Sequence, residues 1–119
     1  MATHNDLGRL GESLAVGYLL ENNYVILERN WRFHKAEIDI IAKKEAQIII
    51  VEVKTRNSNF FGDPQSFVSP EKIKLLLKAA NQYLVLNNIP LEARFDILAI
   101  IKNKSTQEIT HFKDAFYHF

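Results

Sequence analysis

The 119-residue chain has no cysteine, which excludes disulfides, thiolate metal sites and cysteine nucleophiles. It has no apolar run approaching the ~20 residues that a membrane-spanning helix needs. It also has no signal-type apolar segment near its start, so a cytoplasmic location with no membrane association is expected. There is little excess charge: the net value is +1, which argues against a polybasic non-specific binder but leaves room for a local basic patch. Repeats and low-complexity stretches are absent. What remains is an ordinary globular composition, 47% hydrophobic and 24% charged, in a length that suits one domain over residues 1–119.

Against that background, two runs stand out. Ile48-Ile49-Ile50-Val51-Glu52-Val53-Lys54 reads as a buried strand, yet carries a carboxylate and an ammonium two residues apart. Glu37-Ile38-Asp39-Ile40-Ile41-Ala42 is a second such run with two more carboxylates. Burying a charge costs several kcal/mol, on the order of the desolvation penalty per ion, unless it is paired or bound to a metal. If the two runs form an antiparallel hairpin, a turn at Lys44-Glu45 pairs Glu37 with Glu52, and a turn at Glu45-Ala46 pairs Asp39 with Glu52. With unbroken alternation, either register places Glu37, Asp39, Glu52 and Lys54 on one face, within about 5–8 Å at Cβ.

The rest of the chain frames these strands. Leu7, Leu10, Leu14 and Tyr18 recur at helical spacing and predict a first helix over residues 4–22. Gly8, Gly11 and Gly17 fall inside it, which points to close helix–sheet packing or to room for a ligand beside Glu12. Residues 24–33 read as a strand. Ser69-Pro70-Glu71 is a helix entry, with Ser as N-cap and Pro in the first turn, and the helix should run to about Asn87. Strands are expected over 94–101 and 108–112. The order is α-β-β-β-α-β-β, an α/β fold with a mixed central sheet flanked by helices.

Asp39 and Glu52 offer hard oxygen donors that suit Mg²⁺ or Mn²⁺, and the carbonyl of Val53 lies between Glu52 and Lys54 as a further ligand. Lys54 is placed to help deprotonate an attacking water or to stabilise charge on a phosphate. These parts fit phosphodiester hydrolysis. Arg29, Arg32 and Arg56 flank the site and could hold a nucleic-acid backbone, as could Lys72 at the second helix start. Glu37 is a weaker candidate ligand, and Gln65 or Ser66 could meet phosphate. The four histidines show no metal-ligand spacing, and Trp31, Phe60 and Phe61 read as packing residues.

Asp39 followed after twelve residues by Glu52-Val53-Lys54 resembles the active-site signature of the PD-(D/E)XK superfamily, the restriction-endonuclease-like fold. The resemblance extends over nearly the whole chain to the bacterial YraN family of predicted nucleases. It is carried by Gly11-Glu12, Arg29-Asn30-Trp31-Arg32, Glu37-Ile38-Asp39, Val51-Glu52-Val53-Lys54-Thr55-Arg56, Phe61-Gly62-Asp63-Pro64, Lys72, Tyr83-Leu84, Arg94-Phe95-Asp96 and Ala115-Phe116. Ile38 and Ala36 depart from the proline and glycine of those patterns without touching the acids. The family is similar to archaeal Holliday-junction resolvases, which implies a place for Glu12 in the metal site. It also implies structured or branched DNA as substrate, and a symmetric homodimer would suit two equivalent cuts. The other reading is a catalytically silent binding module for nucleic acid or protein that keeps the fold.

Overall fold

A computed structural model describes residues 4–58 and 68–116. Helix α1 spans His4–Glu21, and strands β1 (Val25–Phe33), β2 (Ala36–Lys44) and β3 (Gln47–Arg56) follow. Helix α2 spans Pro70–Leu86, and β4 (Ala93–Lys102) and β5 (Gln107–Phe112) complete the order expected from periodicity. The strands form one mixed sheet in the order β1-β2-β3-β4-β5. Only β3 and β4 run parallel, because the connection between them is the α2 crossover. Phe60, Phe61, Gln65, Ser66 and the segment Phe61-Gly62-Asp63-Pro64 lie outside the described residues, as does the tail from Tyr117.

Local chemistry accounts for the boundaries. Ser69 caps α2, its Oγ accepting from the Lys72 N–H at 3.2 Å, and Pro70 opens the helix. Asn23 at φ 68° ends α1. The β1–β2 and β2–β3 hairpins turn at His34-Lys35 and Glu45-Ala46, with His34 and Glu45 in the left-handed region (φ 57° and 56°).

The sheet separates two cores. On one face Ile38, Ile41, Ile48, Ile50 and Ile97 pack against Ile73, Leu76, Ala80 and Tyr83 of α2. On the other, Ile40, Ala42, Ile49, Val51, Leu98 and Ile100 pack against Ala15 and Leu19 of α1. The buried stripe of α1 is centred on Gly11, Ala15 and Leu19; Leu10, which the spacing put inward, is 41% exposed. Gly11 explains the shift. A Cβ there would lie 1.8 Å from Thr55 Oγ1, so the missing side chain is what lets α1 press onto β3.

Candidate metal centre

The site begins where two strands part. The β2–β3 ladder runs from Lys44↔Gln47 to Ile40↔Val51 and ends there. Beyond it, β2 continues paired to β1 as far as Ala36, and β3 continues paired to β4 as far as Arg56. The two strands thus leave a fork, and Asp39 and Glu52 are the first residue on each side of it.

Asp39 sits at a break in the alternation of β2. Ile38 packs on the α2 side and Ile40 on the α1 side, whereas residues two apart on a regular strand share a face. Asn30 of β1, between the pairs Arg29↔Ile40 and Trp31↔Ile38, has φ 52°. Counted back from Ile41 and Ile40, Asp39 still falls on the α2 side, as Glu52 does beyond Ile50 and Val51, and the break lies between Asp39 and Ile38. The kink directs the Asp39 carboxylate into the fork, where its Oδ2 accepts from the Val53 N–H at 2.8 Å. That bond replaces the partner which Val53 loses as β2 departs. The N–H and C=O of one strand residue point the same way. The Val53 carbonyl is thus also aimed towards the β2 side of the fork.

Glu52 is only 3% exposed. Its Oε2 faces two cations: Lys54 Nζ at 4.0 Å and Lys72 Nζ, which reaches over from the first turn of α2 in a closer ion pair. Its Oε1 is buried and has no hydrogen-bond partner. Burial, with the charge of Glu52 alongside, pushes the Asp39 carboxyl up to about 8. The Val53 N–H opposes the rise, and the charge of Glu12 contributes a smaller increment. Burial alone would lower Lys72, but its bond to Glu52 leaves the ammonium above its ordinary value.

The fork opens into a cavity of about 220 Å³ lined by Glu12, Asp39, Glu52, Lys54, Arg56 and Lys72. Gly8 is on its wall with nothing near its Cβ position. Glu12 from α1 and Lys72 from α2 therefore meet at one opening although their helices cover opposite faces. Glu12 does not close a cage with the two acids: among the described residues no three His, Cys, Asp or Glu side chains group as metal ligands. The residues present nonetheless fit a divalent cation. Two carboxylates share a low-dielectric notch, one oxygen lacks any donor, and Asp39 must be ionised at a cost that a cation would offset.

The remaining candidates divide. Arg56 lines the cavity, its guanidinium also donating to the Thr55 carbonyl at 3.1 Å. Arg32 is not brought there; it binds Glu37 at 2.7 Å in an exposed ion pair. Arg29 is exposed on β1 and does not line the cavity. The close bond between Lys72 and Glu52 was not foreseen, since nothing local in the sequence joins the start of α2 to the end of β3.

A second buried polar cluster lies apart from the fork. Asp96, fully buried on β4, receives two bonds from Arg94 (2.9 and 2.8 Å), one from the Asp114 N–H (3.0 Å), and a contact with His111 Nε2 (2.7 Å). Tyr18 lies 3.0 Å from His111 Nδ1, so the Nε2–H tautomer satisfies both neighbours. Burial alone would raise Asp96, but the bonds from His111, Arg94 and Asp114 hold its carboxyl below the usual range. The cluster ties β4, β5 and α1 together, and none of its members lines the cavity at the fork.

A mixed α/β protein with a paired-carboxylate notch at a strand fork is the class these features define. The model of the uncharacterised protein family UPF0102 matches residues 11–100, and the chain belongs to that family. It is 59% identical over 119 residues to the UPF0102 protein FP2501 of Flavobacterium psychrophilum, with all of both chains covered. It is 53% identical to a UPF0102 protein of Christiangramia forsetii, again over the whole of both. A UPF0102 protein of Bacteroides thetaiotaomicron is 46% identical over 117 residues, 98% of this chain and 97% of the relative. Among the described residues, no helix is long and apolar enough to cross a membrane.

Proposed function

We propose that the protein is a divalent-metal-dependent nuclease of restriction-endonuclease-like fold, hydrolysing phosphodiester bonds in structured or branched DNA. The observation that carries this reading is the fork: buried Glu52 beside half-buried Asp39, one oxygen of Glu52 without a donor, and Lys54 4.0 Å from the other. The Asp39-x12-Glu52-Val53-Lys54 spacing, which resembles the PD-(D/E)XK signature, supports it.

Asp39, Glu52 and the Val53 carbonyl would hold Mg²⁺ or Mn²⁺, with Glu12 reaching it through water. When bound, the ion supplies Lewis-acid polarisation of the scissile phosphate and lowers the pKa of water. Asp39 holds its orientation through the Val53 N–H and releases its proton on loading. Lys54, partly exposed beside Glu52, orients the attacking water and faces the charge that grows on the phosphoryl oxygens. Arg56 and Lys72 grip the flanking phosphates.

The test is a cleavage panel: labelled four-way junction, flap, single-stranded and duplex DNA, with Mg²⁺, Mn²⁺ or EDTA, and Glu52→Gln as control. Metal-dependent cutting by the wild type that Glu52→Gln lacks is the expected result. No cutting of any substrate at high enzyme would overturn it. Retained DNA binding in EDTA, without calorimetric divalent binding, would put a binding module in its place.

A further inference from the structure

Three cavities on the molecule are not separate. The one at the fork shares Asp39 and Lys72 with a second of about 420 Å³, which extends over Lys35, Ala36 and Leu75. That one shares Lys35, Ala36 and Leu75 with a third of about 580 Å³, walled by Phe33, His34, Lys78 and Gln82. Together they make a continuous trough. It starts at the carboxylates, follows the first three turns of α2, and ends against the β1–β2 turn.

Its chemistry changes along the way. Lys72, Lys35 and Lys78 follow one another down the trough, the last two exposed. Of the acids beyond the fork, Glu37 is bonded to Arg32, which leaves Glu71 at the lip. Leu75, 38% exposed, is an apolar spot between the lysines. At the far end Phe33 and His34 stand edge-to-face with centroids 4.3 Å apart, and the amides of Asn81 and Gln82 lie beside them. A row of ammonium groups leading to an aromatic platform flanked by amides is the composition that binds an unpaired nucleic-acid strand. The backbone is tracked by charge and a base is held by ring contact.

We infer that this trough is the exit path for a single-stranded segment of the substrate. Its phosphates lie on Lys72, Lys35 and Lys78, and a base rests against Phe33 and His34. The inference rests on the nuclease reading of the fork but adds a polarity to it: one flank of the cut site is unpaired and runs along α2. Such a requirement would make a flap or a fork with a free strand a better substrate than continuous duplex.

Binding can be read without cleavage. Fluorescence anisotropy with a labelled single-stranded oligonucleotide and a duplex of the same length, in EDTA, across a salt series, separates the contributions. The wild type should prefer the single strand. Lys35→Gln with Lys78→Gln, both at exposed positions, should weaken single-strand binding. It should also flatten the dependence of log affinity on log salt by about 1.4, roughly 0.7 for each lost phosphate contact. Phe33→Leu keeps apolar volume in the core and removes the ring; it should weaken binding about tenfold with an unchanged salt slope. If both variants keep wild-type affinity and slope while Arg56→Gln loses binding, the strand leaves elsewhere: the trough is excluded and the nuclease reading stands. Equal binding of duplex and single strand, equally affected by the variants, overturns the single-strand assignment. A wild type that binds neither oligonucleotide and cuts no DNA removes both.

Discussion

Lys72, in the first turn of α2, is ion-paired to Glu52 of β3, the carboxylate that the fork buries most deeply. The ammonium occupies one oxygen of the pair of acids, and the other oxygen has no donor. A divalent cation entering the fork must therefore share Glu52 with Lys72 or displace it. Lys72→Met should destabilise the metal-free protein by about 1–3 kcal/mol, since a buried acceptor loses its partner. The same variant should gain more in melting temperature from Mn²⁺ than the wild type does. Thermal melts with and without Mn²⁺ check this; an equal gain in both proteins would show that the ammonium and the ion do not compete.

Asp39 gives the fork a pH signature. Its carboxyl lies at about 8 in the folded chain against an ordinary value of 3.8. A group whose folded pKa is raised contributes stability that is fully present below the unfolded value and is lost as pH rises through the folded one. The metal-free protein should thus lose stability between about pH 4 and pH 8, and Asp39→Asn should flatten that fall. Divalent-ion affinity should rise over the same window with release of a proton. Melting temperature against pH in EDTA, for both proteins, is the check; parallel curves would place the carboxyl at its ordinary value.

Lys54 separates catalysis from ion binding. Lys54→Met keeps the length of the side chain and removes its charge. Calorimetric Mn²⁺ affinity should stay close to that of the wild type, while the cleavage rate falls by about 10²–10³, the range for losing one group that stabilises transition-state charge. Lost metal affinity with normal turnover at saturating metal would reverse the assignment.

Gly11 sets the distance of α1 from β3. In Gly11→Ala the new methyl meets Thr55, and overpacking of this kind costs about 1–3 kcal/mol. The displaced helix carries Glu12 away from the cavity, so the variant should also need more Mg²⁺. Gly8→Ala has open space at its Cβ and should melt at or above the wild-type temperature. Denaturant unfolding of the two variants makes the comparison, and equal stability would remove Gly11 from this role.

Much of this could be read before the fold was known. The strands around Ile48–Lys54 and Glu37–Ala42, the Ser69-Pro70 helix entry and the α-β-β-β-α-β-β order all follow from short-range patterns, and the structure has them. The meeting of Asp39 and Glu52 is also expected, from the register with a turn at Glu45-Ala46, and the ladder has that register. What the pattern does not show is that the chain kinks at Asn30 and Asp39 and that the strands part there. A period-two pattern cannot report its own interruption when the residues on both sides, Ile38 and Ile40, are equally apolar. The Lys72–Glu52 pair and the Asp96 cluster were illegible for another reason. Each joins side chains from separate elements, and only the packed tertiary arrangement brings them together.

The fork's capacity for a divalent cation can be seen directly by Mn²⁺ anomalous scattering from crystals of the wild type and of Glu52→Gln. The expected result is one strong peak in the wild type, within coordination distance of Asp39, Glu52 and the Val53 carbonyl, and none in Glu52→Gln. An empty fork at saturating Mn²⁺, with Lys72 still seated on Glu52, would contradict the metal centre and the nuclease reading that depends on it.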